Sequence, residues 1–175
     1  MLRDDQIHVM IDQETLENRI KELGAQISAD YEGKELMLLC ILKGGVMFMS
    51  QLSKYITVPT TMDFMALSSY GNELISTGNI EIKKDLDENI AGKHVLIVED
   101  IVDTGRTLKF LKEFLQGRDA ASVKICTMLD KPARRVVEIE ADYTGFAIRD
   151  EFVLGYGLDY AQHYRNLPYI GYVSL

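Results

Sequence analysis

The chain is poor in cysteine. Its two thiols, Cys40 and Cys126, both lie inside apolar stretches. That is too few for a disulfide framework, and the pair reads as small core residues of a protein kept in a reducing compartment. Long apolar runs are also missing. The longest, Leu36 to Leu42, has seven residues, against the roughly 20 needed to cross a bilayer as a helix. The N-terminus, Met1-Leu2-Arg3-Asp4-Asp5, turns acidic too early for a secretory signal, so a cytoplasmic location is expected. There is no excess of positive charge. Nineteen Lys and Arg stand against 27 Asp and Glu, a net charge of −8, which argues against nucleic acid or an anionic membrane as partner. The sequence has no internal repeat and no low-complexity tract. It contains neither of the common phosphate-loop patterns, G-x-x-x-x-G-K-[ST] or G-x-G-x-x-G.

What is present is the composition of a globular protein, 47% hydrophobic and 26% charged over 175 residues, enough for one domain spanning 1–175. Residues 13–32 carry Leu16, Ile20, Leu23 and Ile27 at helical spacing. The apolar run up to Leu42 reads as a strand covered on both faces. Lys43-Gly44-Gly45 ends it, and a helix is expected over 46–55. Further strands are expected at 60–67, 94–98, 122–129 and 152–154, with a helix starting near Arg106 that aligns Leu108, Leu111 and Leu115. The stretch 68–93 is polar, broken only by the alternation Ile80, Ile82. A connection of that length is a functional lid or a disordered segment. Buried strands alternating with helices define an α/β fold with a mainly parallel sheet flanked by helices, in which ligands sit beyond the C-terminal strand ends.

One strand end stands out. Val98-Glu99-Asp100-Ile101-Val102-Asp103-Thr104-Gly105-Arg106-Thr107 runs from an apolar strand into three carboxylates and then a small-residue turn that opens a helix. Free backbone N–H groups and the helix dipole at such a turn suit a phosphate. Gly105 lets the backbone approach it, and Thr104 and Thr107 add hydroxyls. Glu99 and Asp100 would repel that phosphate, so they call for a sugar diol or a hydrated Mg²⁺. The bland alternative is an acidic helix cap.

This segment resembles the signature of the type I phosphoribosyltransferases, which bind 5-phosphoribosyl-1-pyrophosphate. Leu42-Lys43-Gly44-Gly45, Ser68-Ser69-Tyr70-Gly71, Leu129-Asp130-Lys131-Pro132, Phe152 to Tyr160 and Tyr164 to Gly171 follow in the order found in the hypoxanthine (hypoxanthine-guanine) branch. The resemblance covers roughly residues 36–173. It implies that Glu99, Asp100, Asp103, Thr104, Gly105, Arg106 and Thr107 bind the phosphoribosyl group and its 5-phosphate. Lys43 and Gly44 (with a cis peptide before Lys43), Arg165, and the loop residues Ser69 and Tyr70 would serve the pyrophosphate. The segment 68–93 would include a mobile loop that closes over the reacting centre. Asp103 would be the catalytic acid or base at purine N7, the alternative being a helix N-cap. Lys131 would recognise the 6-oxo group, or else be a solvated turn lysine. Phe152 and Val153 would take the purine, or else pack in the core, and Asp159 would join them in binding it. Mg²⁺ would be held by Glu99 and Asp100, and by Asp159 at a second position. Tyr164-Arg165 could otherwise be a surface pair. A small hood built from the N- and C-terminal segments would carry the base pocket, and a homodimer or homotetramer is usual.

The implied activity is transfer of the phosphoribosyl group to hypoxanthine, with guanine as the second expected base. Two alternatives stay open at this point: a phosphoribosyl pyrophosphate sensor without turnover, and a transferase preferring xanthine. The chain departs from the usual pattern at Ile148-Arg149-Asp150, where a proline is common in place of Arg149. A surface decoration is the expected reading of that change.

Overall fold

The computed structural model describes residues 2–3, 6–69 and 80–174. In chain order the elements are β1 (Ile7–Ile11), α1 (Gln13–Asp30), β2 (Leu36–Leu42), α2 (Val46–Leu52) with a following 3₁₀ turn (Ser53–Tyr55), β3 (Thr60–Ser69), β4 (Ile80–Lys84), β5 (His94–Val102), α3 (Arg106–Gln116), β6 (Ser122–Asp130), β7 (Tyr143–Ala147), β8 (Val153–Leu154) and β9 (Ile170–Val173). Six strands form one sheet in the order β4-β3-β2-β5-β6-β7. All neighbouring pairs are parallel except β3 with β4. A second, three-stranded antiparallel sheet joins β1, β9 and β8.

Alternation along β2 explains why the apolar run is continuous. Leu36, Leu38 and Cys40 point to one face, where α1 and α2 pack with Leu16, Ile20, Leu23, Ile27 and Phe48. Met37, Leu39 and Ile41 point to the other, where α3 brings Leu108, Leu111 and Leu115. A strand apolar on both sides must be covered on both sides. The α1 stripe expected from spacing is fully buried, and Asp12 caps the helix by accepting a bond from the Thr15 N–H at 2.8 Å. Gly24 in α1 is required by its neighbour, because a Cβ there would lie 2.9 Å from the Tyr55 carbonyl oxygen. Both cysteines are free and buried.

Three expectations need correction. The strand expected at 94–98 extends to Val102, so Glu99 and Asp100 lie within the sheet rather than beyond it. Part of the polar stretch 68–93 is strand: β4 pairs with the end of β3, Ser69 opposite Ile80. The strand expected at 152–154 does not join the parallel sheet. Val153 and Leu154 pair with β9 in the small sheet, and the sixth place in the large sheet is taken by β7, whose Tyr-Thr-Gly-Phe-Ala sequence gave little signal. No helix among the described residues is long and apolar enough to cross a membrane.

Candidate active site

Backbone geometry at the β5–α3 junction makes the site. β5 ends at Val102, and Gly105 opens α3 with φ +83° and no side-chain cap. Asp103 is therefore not the helix N-cap. A Cβ on Gly105 would also fall on Ile139 Cγ2 and lie 2.9 Å from Arg135 Cδ, so both its conformation and its surroundings demand glycine. The resulting cavity, of about 250 Å³, is lined by Gly44, Glu99, Asp100, Asp103, Thr104, Gly105 and Thr107 together with apolar residues from the ends of β2 and β5. Six of the seven residues expected to hold a phosphoribosyl group thus converge. Arg106 is exposed and does not line the cavity.

Glu99 is 9% exposed and Asp100 half-buried. Burial first, and the neighbouring Asp100 carboxylate second, push the Glu99 carboxyl well above the usual range, and burial raises Asp100 as well. Beneath them the Cys40 thiol is pushed up to about 12 by its own burial and then by the two acids, which leaves it inert. Gly44 is pressed against this pair: a Cβ there would overlap the Asp100 carboxylate. The peptide between Leu42 and Lys43 is cis.

The loop after β8 closes over the same corner. A Cβ on Gly157 would strike the Gly44 carbonyl oxygen. Arg165 donates to the Gly157 carbonyl at 2.6 Å and pairs with Asp159 at 2.8 Å, and Asp159 also accepts from the Gln162 N–H at 2.8 Å. Arg165 is therefore partly buried and anchored rather than a loose surface side chain. Lys43 reaches Gln162 Oε1 at 3.2 Å. Gln162 Oε1 also accepts from Arg165 at 3.4 Å and so links the two cations that the resemblance assigns to the pyrophosphate, and no sequence signal marked it. Tyr156, Ala161, Gln162 and Tyr164 all have positive φ. Such backbone in non-glycine residues persists only where surrounding contacts over-determine it, and it gathers at functional sites.

The third corner holds Lys131, Phe152 and Val153. Lys131 is 8% exposed, with its ammonium donating to the Glu151 carbonyl at 2.6 Å, so it is not a solvated turn lysine. Phe152 is 48% exposed and meets Tyr160 edge-on with centroids 5.7 Å apart. Core packing does not account for it. Val153 is buried. Asp103 pairs with Arg134 at 3.0 Å, and Arg135 donates to the Asp103 carbonyl at 2.7 Å and forms an ion pair with Asp130. Neither arginine was singled out by its sequence. Arg149 is exposed, as expected for surface decoration. Ser69 ends β3, and Tyr70 lies outside the described residues.

Among the described residues no three His, Cys, Asp or Glu side chains converge on one point. Glu99 and Asp100 form a carboxylate pair on their own, and Asp159 faces Arg165 instead. One buried and one half-buried acid, both with raised proton affinity, are short of positive charge. They suit a hard cation that completes its shell with water and substrate oxygens, the habit of Mg²⁺. A cation at Asp159 would have to share that carboxylate with a guanidinium.

A mainly parallel sheet bearing an acid pair and a phosphate-ready turn at the C-terminal end of a central strand defines a class of sugar-phosphate-binding transferases. A family profile described as the phosphoribosyl transferase domain matches residues 10–161, and the chain belongs to that family. The hypoxanthine-guanine phosphoribosyltransferase of Streptococcus pneumoniae R6 is 54% identical over 171 residues, 98% of this chain and 95% of that one. That of Bacillus subtilis 168 is 47% identical over the same shares of both chains. A crystal structure of a hypoxanthine phosphoribosyltransferase from Staphylococcus aureus superposes with a TM-score of 0.94 at 52% identity, covering 98% of this chain and 93% of the other.

Proposed function

We infer that this chain is a purine-salvage enzyme, converting hypoxanthine or guanine and 5-phosphoribosyl-1-pyrophosphate to the 5′-nucleotide and pyrophosphate. The observation that carries the reading is the single cavity in which the acid pair, the glycine pressed against it and the Thr104–Thr107 turn meet.

The sugar phosphate binds with its 5-phosphate on the backbone N–H groups and hydroxyls of Thr104 to Thr107, at the N-terminus of α3. Glu99 and Asp100 accept from the ribose hydroxyls. Lys43, the Gly44 backbone and Arg165 hold the pyrophosphate, with Ser69 and Tyr70 closing over it to exclude water. Phe152 stacks on the purine, Val153 offers backbone groups to its edge, and Lys131 leaves the Glu151 carbonyl to donate to the 6-oxo group. A site built around that bond rejects adenine, whose 6-amino group cannot accept it. As the C1–pyrophosphate bond breaks, C1 becomes oxocarbenium-like. Purine N9 then bonds to C1 while Asp103 takes the N7 proton. Glu99 and Asp100 would hold Mg²⁺, and Asp159 a second ion, which would supply positive charge to the pyrophosphate side of the site.

The whole of 1–175 acts as one catalytic domain. The β1-β9-β8 sheet serves as the hood over the base pocket, and the loop within 68–93 serves as the lid. The enzyme works in the cytoplasm as a homodimer or homotetramer, with small molecules as its substrates.

The test is pyrophosphate release from phosphoribosyl pyrophosphate and Mg²⁺ with a panel of purines. Turnover is expected with hypoxanthine and none with adenine. Asp103→Asn should lower turnover by on the order of a hundredfold while sparing sugar-phosphate binding. An inert wild type that still binds phosphoribosyl pyrophosphate would overturn the assignment of chemistry.

A further inference from the structure

Residues 130–136 knit together the two loops that flank the proposed purine pocket. On one side, Arg135 donates to the Asp103 carbonyl and the Val136 N–H donates to the Thr104 carbonyl at 3.1 Å. On the other, the Ile148 N–H donates to the Asp130 carbonyl at 2.8 Å. Arg134 is the side chain that touches both loops. Its Nε donates to Asp103 Oδ1 at 3.0 Å, and its Nη1 lies 3.7 Å from Asp150 Oδ2. Asp150 precedes Glu151 and Phe152, whose carbonyl and ring face Lys131 and Tyr160 respectively.

We propose that Arg134 is a positioning residue for purine transfer, acting through Asp103 and not on the substrate. It spans from the proton-accepting carboxylate to the loop that carries the base pocket, and so fixes where Asp103 stands relative to the purine edge. The inference rests on the reading of Asp103 as the N7 proton acceptor.

Two physical points favour positioning over stabilisation. All three side chains are about half exposed, and exposed ion pairs contribute little to folding. The planar guanidinium, by contrast, presents donors in a fixed fork that meets both carboxylates in a set orientation, where an ammonium on a flexible stem fixes that orientation less. The charged groups facing Asp103 are Arg134 and Arg135 from the segment after β6. Asp150 sits across the Arg134 bridge, so removing Arg134 frees two carboxylates that it holds together. The Asp103 side chain then loses the Arg134 contact that orients it and samples orientations away from the purine, and misplacement of a reacting group is costly in rate.

The experiment is a double-mutant cycle in steady-state kinetics. Arg134→Gln should lower kcat/KM for hypoxanthine about fivefold to tenfold, while the KM for phosphoribosyl pyrophosphate stays within about twofold. Arg134→Lys should recover part of the loss, and Asp150→Asn should show a smaller loss in the same direction. In the Asp103→Asn background, Arg134→Gln should add no further loss. An equal loss in both backgrounds, or a parallel rise in the KM for phosphoribosyl pyrophosphate, overturns the inference and leaves the Asp103 assignment standing. If Asp103→Asn turns over like the wild type, the Asp103 assignment falls and takes this inference with it. Should Arg134→Gln fail to fold, the cycle between Asp150→Asn and Asp103→Asn carries the same decision.

Discussion

Glu99 and Asp100 are adjacent acids in the middle of a packed sheet; burial raises both above the usual carboxylate range, and the Asp100 carboxylate lifts Glu99 further. The sign of the consequence follows from linkage. A carboxyl that binds its proton more tightly when folded favours the folded state at low pH, and that advantage is lost as pH rises from the unfolded value through the raised one. The ligand-free chain should therefore lose thermal stability as pH rises above the ordinary carboxylate range. Glu99→Gln should raise the melting midpoint at pH 7 to 8 and flatten that dependence, while weakening sugar-phosphate binding. A melting midpoint that Glu99→Gln lowers would contradict the electrostatic account. Gly44 makes a steric counterpart. Its missing Cβ is the space that the Asp100 carboxylate occupies, so Gly44→Ala must displace that acid. Overpacking of this kind costs about 1–3 kcal/mol, and the pyrophosphate-side KM should rise. An unchanged KM and undiminished stability in that variant would mean that the corner is loose. Neither effect is visible in the sequence, where Lys-Gly-Gly reads equally well as a turn and an acid pair reads equally well as a cap. The clearest gaps at this scale are Arg134 and Gln162. Their importance lies in partners 31 and 119 residues away, and no local pattern encodes those.

At the scale of elements, periodicity was a sufficient guide where burial is complete. The apolar run of β2, the stripe of α1 and the Leu108, Leu111, Leu115 row of α3 each emerge as expected because each is buried, β2 between the two cores and each helix against one of them. It missed β1, β7 and β9, which are four or five residues long, and it found β8 but put it in the wrong sheet. Short, half-exposed strands owe their state to pairing partners far along the chain, and β-propensity is weak without that context. The β5–α3 turn tests how much a single element boundary matters. Gly105 combines φ +83° with a Cβ position already filled by Ile139. Gly105→Ala should lower stability by about 1–3 kcal/mol, read as a drop in denaturation midpoint, and weaken 5-phosphate binding more than purine binding. Equal loss for both substrates would instead indicate general loosening of the domain.

For the molecule as a whole, strand order does the gathering. β2 and β5 are parallel neighbours at the centre of the sheet, so the Lys43-Gly44 loop and the acid-to-turn segment emerge side by side although some 55 residues separate them, as the rule for ligand sites in parallel sheets anticipates. The 155–165 loop then folds back on Gly44 from the small sheet, an approach that no local pattern encodes, although the resemblance puts Arg165 and Gly44 on one group. Every role assigned above depends on the activated sugar lying in that cavity. The most direct measurement is a crystal structure of the chain soaked with phosphoribosyl pyrophosphate and Mg²⁺. The account predicts the 5-phosphate on the backbone of residues 104–107 and the ribose hydroxyls on Glu99 and Asp100. A sugar phosphate bound elsewhere, out of contact with those two carboxylates, would contradict it.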